Sequence, residues 1–512
     1  MPRQSWALLK SIHARAAMHF HRLFLLALLW LWSASAAAHA MQVPYNLPVP
    51  LWLYAYGATA ALLASFVVVG YFVRGDTGSL QSRSFELSRG GFGAALMRPG
   101  WISACRVLSV LALLLTIAAG LAGTKVPTRN FNITFFWVVF VLGFTYLTAL
   151  IGDVYRAINP LLVICDWLER LRPGLLRGKW HYPQWLGYYP ALALYMGFIW
   201  IELFGHTSPR TLSLVLLSYV AMNLAAAWML GRETWFRQGE LFAVLLRLVA
   251  KLSPLEYRCA ENGQPPAIRL RLPFVGLLSE RADHFSLLVF VLFMLSSTAY
   301  DGLHETVPWV QVFWKEVFPV LAKFIAAGSP GQYLILVDYF YYWQWLMMLV
   351  SPFVYLAIYL GFVAMAKLVA RTTISVPELA LQFALSLVPI AFVYNVTHYF
   401  TLALAQGPLV LSLAFDPFGF GWNLLGNKGW NIQPILLDAG LIWHTQVALI
   451  LFGHILSVYL AHVEALKVFA TRRQAALSQL PMLVLMVMLT TIGLWILSLP
   501  IAAGQVLLPT GR

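Results

Sequence analysis

The chain has 512 residues, of which 60% are hydrophobic and 11% charged, against a soluble average of roughly half apolar and a quarter charged. No single water-soluble core absorbs so many apolar runs of about 20 residues, each long enough to cross roughly 30 Å of hydrocarbon as a helix. Composition therefore predicts an all-α polytopic membrane protein and excludes a soluble domain and a β-barrel. The formal net charge of +14 does not point to nucleic acid, because the basic residues lie between the apolar runs, as positive-inside topology requires.

Residues 1–40 combine a basic start (Arg3, Lys10, Arg15, Arg22), an apolar run from Leu23 to Trp32 and a small-residue end, Ser33 to Ala40. This is the pattern of a secretory signal peptide, which leaves 41–512 as a single integral membrane domain. Cleavage fits after Ala40 or after Ala38, and the second would expose His39 as an N-terminal copper chelator.

Ten spans follow: Pro50 to Val73, Trp101 to Gly123, Ile133 to Ile151, Trp185 to Phe204, Thr211 to Leu230, Phe285 to Tyr300, Trp345 to Ala370, Glu378 to Ala405, Asp438 to Ala461 and Leu480 to Ala503. With the mature N-terminus outside, the inward loops carry about 22 Lys and Arg and the outward segments about 7. This asymmetry predicts a multi-pass protein of a bacterial inner membrane, with both mature termini periplasmic. The segments Asn159 to Leu171, Glu240 to Lys251 and Val307 to Ile325 read as surface-lying interfacial helices. Cys105, Cys165 and Cys259 are too scattered for a disulfide framework or a paired-cysteine zinc site, and read as packing residues on the inner side. No phosphate loop, nucleophile elbow or haem-attachment motif occurs.

Polar groups inside a bilayer are costly to bury and tend to mark function. They separate here by depth. Glu202 and His206 end the fourth span, Asp301, His304 and Glu305 end the sixth, and Asn395 and His398 lie about 10–15 Å inside the outer end of the eighth at ~1.5 Å per residue. Asp438, His444 and Gln446 open the ninth span from the same side, His454 sits near mid-membrane, and His462 with Glu464 lies at the inner edge. The best constellation is His398 with His444, joined by Asp301, His304 or His206, and by His454 if the helix tilts. Such imidazoles and a carboxylate form a competent ligand set for a divalent metal, zinc or copper, whose bound water could be a nucleophile near neutral pH. The same histidines could instead make interhelical hydrogen bonds. The aromatic, glycine-rich stretch Phe415 to Gly426, between the two histidine spans, reads as a cap over a cavity, with Asp416 capping a turn or contacting substrate.

Several motifs carry a resemblance: Tyr45 to Tyr54, Gly152 to Pro160, Thr397-His-Tyr-Phe400, Asp416-Pro-Phe-Gly-Phe-Gly-Trp422 and Gly453-His454 leading to Leu460-Ala-His462. Across nearly the whole mature chain the pattern resembles bacterial membrane proteins named as fenitrothion hydrolases. The resemblance implies hydrolysis of a lipophilic organophosphorus triester with release of a nitrophenol, and carries His398, Asp416, Gln446, His454 and His462 over as motif members. Taken with the resemblance, the polar residues imply a periplasm-facing, metal-dependent hydrolase with Asn395, Gln446 and Asp416 as catalytic candidates and His398, His444, His454, Asp301 and His304 as metal ligands. Its partners are the lipid bilayer and a lipophilic small molecule. A metal- or proton-handling transporter and a haem-binding membrane protein use the same residue types.

Overall fold

The computed structural model describes residues 49–73, 85–87, 98–258, 267–323, 332–422 and 432–499. The segment read as a signal peptide lies outside them, as does Cys259. Among the described residues ten helices are long and apolar enough to cross a membrane: α1 (Leu51–Phe72), α2 (Pro99–Ala122), α3 (Phe131–Ile151), α4 (Tyr189–Phe204), α5 (Pro209–Leu230), α6 (Phe285–His304), α7 (Val337–Ala370), α8 (Val376–Gln406), α9 (Ala439–Val468) and α10 (Arg472–Ser498). The chain is a multi-pass membrane protein. In each helix the backbone satisfies its own hydrogen bonds, the condition a chain must meet inside hydrocarbon.

Local chemistry sets where the spans begin and stop. Ser208 caps α5 by accepting the Thr211 N–H, Pro209 supplies the pre-set first turn, and Gly231 leaves the helix at a φ of 87°. Asp438 caps α9 and Thr471 caps α10 in the same way. The eighth span is interrupted: an α-helix from Val376 to Phe383 tightens to a 3₁₀ turn over Ala384–Leu387 and resumes at Val388. Pro389 is the cause, because it offers no N–H to the preceding turn. The third span is wound more loosely, as a π-helix from Thr134 to Phe144.

The bundle is organised around α6, whose residues from Ser286 to Tyr300 are all buried. Helices α4, α7 and α8 pack on it directly, α9 and α10 close the far side of α8 and α7, and α2 pairs with α5 at the other edge. By contrast α1 fully buries only Ala58 and Leu62 against α9 and α10, and leaves Trp52, Leu53, Leu63, Val67 and Val68 exposed. A three-stranded antiparallel sheet in the order β1 (Phe85–Glu86), β3 (Ala267–Leu270), β2 (Leu255–Arg258) lies among the basic loops.

Three expectations shift. The seventh span starts before Trp345, its helix beginning at Gln332, because the tyrosine- and tryptophan-rich run Tyr339 to Trp345 is helix and not flanking loop. α9 runs to Val468 and α10 starts at Arg472, so both carry their charged turns beyond the apolar stretch. The helix Leu241–Ala250 does not lie on a surface. Eight of its residues are buried, against α3, α4 and Arg232–Gln238.

Its cap explains how it can sit inside. Glu240, fully buried, accepts the Phe242 N–H at 3.0 Å and the Ala243 N–H at 2.6 Å, and the Tyr219 hydroxyl donates to it. Burial pushes the Glu240 carboxyl above the usual glutamate range. Nearby, Asp166 pairs with both Arg106 and Arg232, tying α2 to the helices of the basic loops.

Candidate functional site

Three helix ends meet at the end of the bundle opposite the basic loops. α4 brings Glu202 in its last turns, α6 brings Asp301 and His304, and α8 brings His398 and Tyr399. All three belong to the packed centre, since α6 touches both α4 and α8. An acid placed one turn from the end of an otherwise apolar helix therefore turns inward or pays for burial alone.

Asp301 is the hub. Its Oδ2 lies 2.8 Å from His398 Nε2 and 2.5 Å from the Tyr399 hydroxyl, which donates to it. The side chains of His398 and Asp301 are 12% and 8% exposed, so the pair is enclosed yet still reachable. His304 anchors the hub from its own helix: Nδ1 lies 2.8 Å from the Asp301 main-chain oxygen and 3.8 Å from Oδ1, and the ring stacks on Tyr300 at 5.6 Å. Glu202 faces the Tyr399 hydroxyl as a second hydrogen-bonding partner and also sees the charges of Asp301 and His398. On the flank, the Tyr146 hydroxyl donates to the Asn395 main-chain oxygen at 3.4 Å.

Counting protons shows what this arrangement can do. Tyr399 has one hydroxyl proton and two carboxylates facing it, so the second carboxylate needs another proton or a positive neighbour. His398 is placed to supply the charge. With Nε2–H donating to Asp301, the neutral ring keeps its lone pair on Nδ1, and a proton taken there makes an imidazolium opposite the Asp301 carboxylate. Gly302 lets that side pack closely: a Cβ built there would meet His398 Nδ1 at 3.8 Å and an Ile496 methyl at 3.0 Å. The unit is a histidine oriented by a carboxylate, with a tyrosine linking it to a second acid.

The other expected site residues lie elsewhere. His444 does not join His398. Gln446 turns toward α8, where its amide donates to the Thr397 main-chain oxygen at 3.1 Å. Two residues away on a helix is about 200°, so His444 points to the opposite side. It is exposed, its Nδ1 lies 2.7 Å from the Gly440 main-chain oxygen and its ring edge meets Tyr54 at 6.3 Å. His454 is fully buried on the α8-facing side, its Nδ1 bonded to the Ile450 oxygen at 2.8 Å. Asp416 is a turn former: its carboxylate accepts the N–H groups of Phe420 at 3.0 Å and Gly421 at 2.7 Å. Main-chain bonds from Thr124 and Phe131 then fasten that loop to the connection between α2 and α3.

The residues do not fit the expected zinc or copper centre. Among the described residues no three His, Cys, Asp or Glu side chains are grouped as metal ligands, and His398 Nε2 and Asp301 Oδ2 are occupied with each other. Glu202 and Tyr399 are the members sequence reasoning left out of the site. Glu202 had a signal, being the single acid of an apolar span at the right depth, whereas Tyr399 is one tyrosine among 22. No protein-family model, curated protein or solved structure matches the chain.

Proposed function

We propose that the chain is a membrane-embedded hydrolase of lipophilic organophosphorus triesters that works by acid–base catalysis at His398. The observation that carries the reading is the 2.8 Å contact between His398 Nε2 and the Asp301 carboxylate, which orients the ring and leaves Nδ1 as its second nitrogen, on the Gly302 side. In the reaction a water proton passes to Nδ1, the water oxygen bonds to phosphorus, and the phosphorus–aryloxide bond breaks to release a nitrophenolate. Asp301 stabilises the imidazolium that forms, and Tyr399 with Glu202 holds Asp301 and supplies the next proton-exchanging group. The site faces the periplasmic leaflet of an inner membrane, where a neutral, lipophilic triester accumulates.

The resemblance to fenitrothion hydrolases supports the substrate class, and the enclosed acid–base unit supports the reaction type. The test is nitrophenol release from an aryl dimethyl phosphorothioate by the purified protein in detergent, compared with His398→Ala. Release that disappears in the variant supports the reading. A wild-type protein that releases none, or a variant that releases as much, overturns it.

A further inference from the structure

Four of the five buried polar side chains of α9, Gln446, His454, Ser457 and Glu464, fall on one face, together with the apolar Ile450 and Ala461, at spacings of three and four residues, and the fifth, His462, lies about 80° round from His454 at ~100° per residue. That face meets α8 in antiparallel register. Gln446 bonds the Thr397 oxygen at 3.1 Å, and eleven residues further along α9 and eleven back along α8, Ser457 bonds the Ser386 oxygen at 2.6 Å. At the far end the Gln382 amide donates to Glu464 at 2.5 Å, and Lys467 pairs with the same carboxylate at 2.6 Å while also donating to the Leu278 oxygen at 2.8 Å.

From Gln446 to Glu464 this polar seam runs about 27 Å at ~1.5 Å per residue, close to the ~30 Å of a hydrocarbon core. It passes from the Thr397–His398 level to the face that carries the basic loops.

Four buried atoms on the seam or beside it have no hydrogen-bond partner in the protein: Thr397 Oγ1 and His454 Nε2 on it, and both ring nitrogens of His462 beside it. These are not surface groups, since Thr397, His454 and His462 are 2%, 0% and 2% exposed. An unsatisfied buried polar group costs about 1–3 kcal/mol, and such groups are normally satisfied by ordered water where protein supplies nothing. His454 lies level with the break in α8: the register that pairs Ser457 with Ser386 sets it opposite Pro389, where the 3₁₀ turn over Ala384–Leu387 gives way to helix. Because His454 Nδ1 is bonded to a carbonyl and so carries the hydrogen, Nε2 is a lone pair held in the core with nothing to accept. The titratable groups around these imidazoles are Tyr394 of α8, whose ring edge meets His454 at 6.3 Å and whose hydroxyl is committed to the Leu489 oxygen, and the Glu464–Lys467 pair.

We propose that ordered water fills the orphaned positions of the α8–α9 seam, and that His454 and His462 relay protons through it between the Glu464–Lys467 pair and the Asp301–His398 site. In each step a hydronium gives its proton to a ring nitrogen, and the imidazolium returns a proton from that nitrogen to the next water. No electron moves and no other reactant is consumed. The proposal rests on the reading of Asp301–His398 as a proton-exchanging site only for where the path ends.

The test is proton entry into phosphatidylcholine–phosphatidylglycerol vesicles containing the full chain and a trapped pH dye, driven by a potassium diffusion potential. Wild-type vesicles are expected to acidify faster than protein-free ones, and His454→Leu and His462→Leu to lose at least 10-fold of that excess. His454→Gln, which keeps a hydrogen-bonding group and the approximate volume but takes up no proton, separates relay from packing and is expected to be as deficient as the leucine variant. Flux equal to protein-free vesicles, flux unchanged in both leucine variants, or full flux in His454→Gln overturns the proposal. Nitrophenol release by His454→Leu in detergent, where both faces share one bath, is expected to equal wild type. Hydrolysis and conduction therefore fail separately.

Discussion

The Tyr399 hydroxyl donates to the Asp301 carboxylate at 2.5 Å, and the Glu202 carboxylate faces the same oxygen from another helix. One proton thus serves two acids contributed by α4 and α6, and the tyrosine couples them. Replacing Tyr399 by phenylalanine removes the link without changing the ring. A charge-assisted hydrogen bond is worth about 1.5–3 kcal/mol, so kcat for triester hydrolysis is expected to fall about 10-fold or more, with KM little changed. Glu202→Gln is expected to lower kcat less than Tyr399→Phe, because Asp301 then keeps its hydrogen bond from Tyr399 as well as its histidine. Steady-state kinetics on the two variants check this, and a Tyr399→Phe enzyme with wild-type kcat contradicts it.

The packing of α8 on α10 is set by a glycine. A Cβ at Gly493 would stand 1.5 Å from the Tyr394 hydroxyl oxygen, which itself donates to the Leu489 carbonyl at 3.0 Å. Gly493→Ala is therefore expected to destabilise the bundle by about 1–3 kcal/mol through overpacking. Tyr394→Phe removes the oxygen but leaves the ring carbon Cζ 2.4 Å from that Cβ, so the double variant is expected to recover only part of the loss. Thermal melting in detergent of the two single variants and the pair measures the coupling, and additive losses would contradict the contact.

Glu240 gives the basic face a pH dependence. Burial raises its carboxyl above the usual glutamate range, and burial does the same to Asp153. A carboxyl whose folded-state value exceeds its unfolded one contributes stability that is complete below the unfolded value, ~4.3 for glutamate, and lost as pH rises through the folded value. Melting temperature is therefore expected to decline as pH rises above the ordinary carboxylate range. Glu240→Gln, neutral throughout, is expected to flatten part of that decline, with Asp153 accounting for the remainder. Melting curves across this window check it, and an unchanged slope in the variant contradicts it.

Much of the bundle is legible in the chain because hydrocarbon imposes one strong rule, that apolar runs of about 20 residues become helices. The spans from α1 to α6 follow directly. Less legible are features decided by which way a side chain turns. Depth alone groups His444 with His398, and only the rotation of α9, fixed by Gln446 meeting Thr397, sends His444 to the other side. The helix Leu241–Ala250 looks interfacial because its apolar face is strong, yet Glu240 satisfies its first N–H groups well enough for it to be buried. Tyr399 belongs to the site through contacts between helices far apart in sequence, which no local pattern encodes, whereas Glu202 is marked as the single acid of its apolar span. Asp416, by contrast, shows in the structure one of the two roles its sequence setting offered, that of a turn cap.

The central claim is that His398, oriented by Asp301, is the base for hydrolysis. The direct measurement is the rate of nitrophenol release by purified wild type, His398→Ala and Asp301→Asn, each with and without prior chelator dialysis. General acid–base catalysis contributes about 10²–10⁴-fold. Both variants are expected to lose activity in that range while remaining folded by melting temperature, and wild type to keep its rate after dialysis. A rate that vanishes on dialysis and returns only with added zinc or copper, or an Asp301→Asn variant that hydrolyses as fast as wild type, would contradict the account.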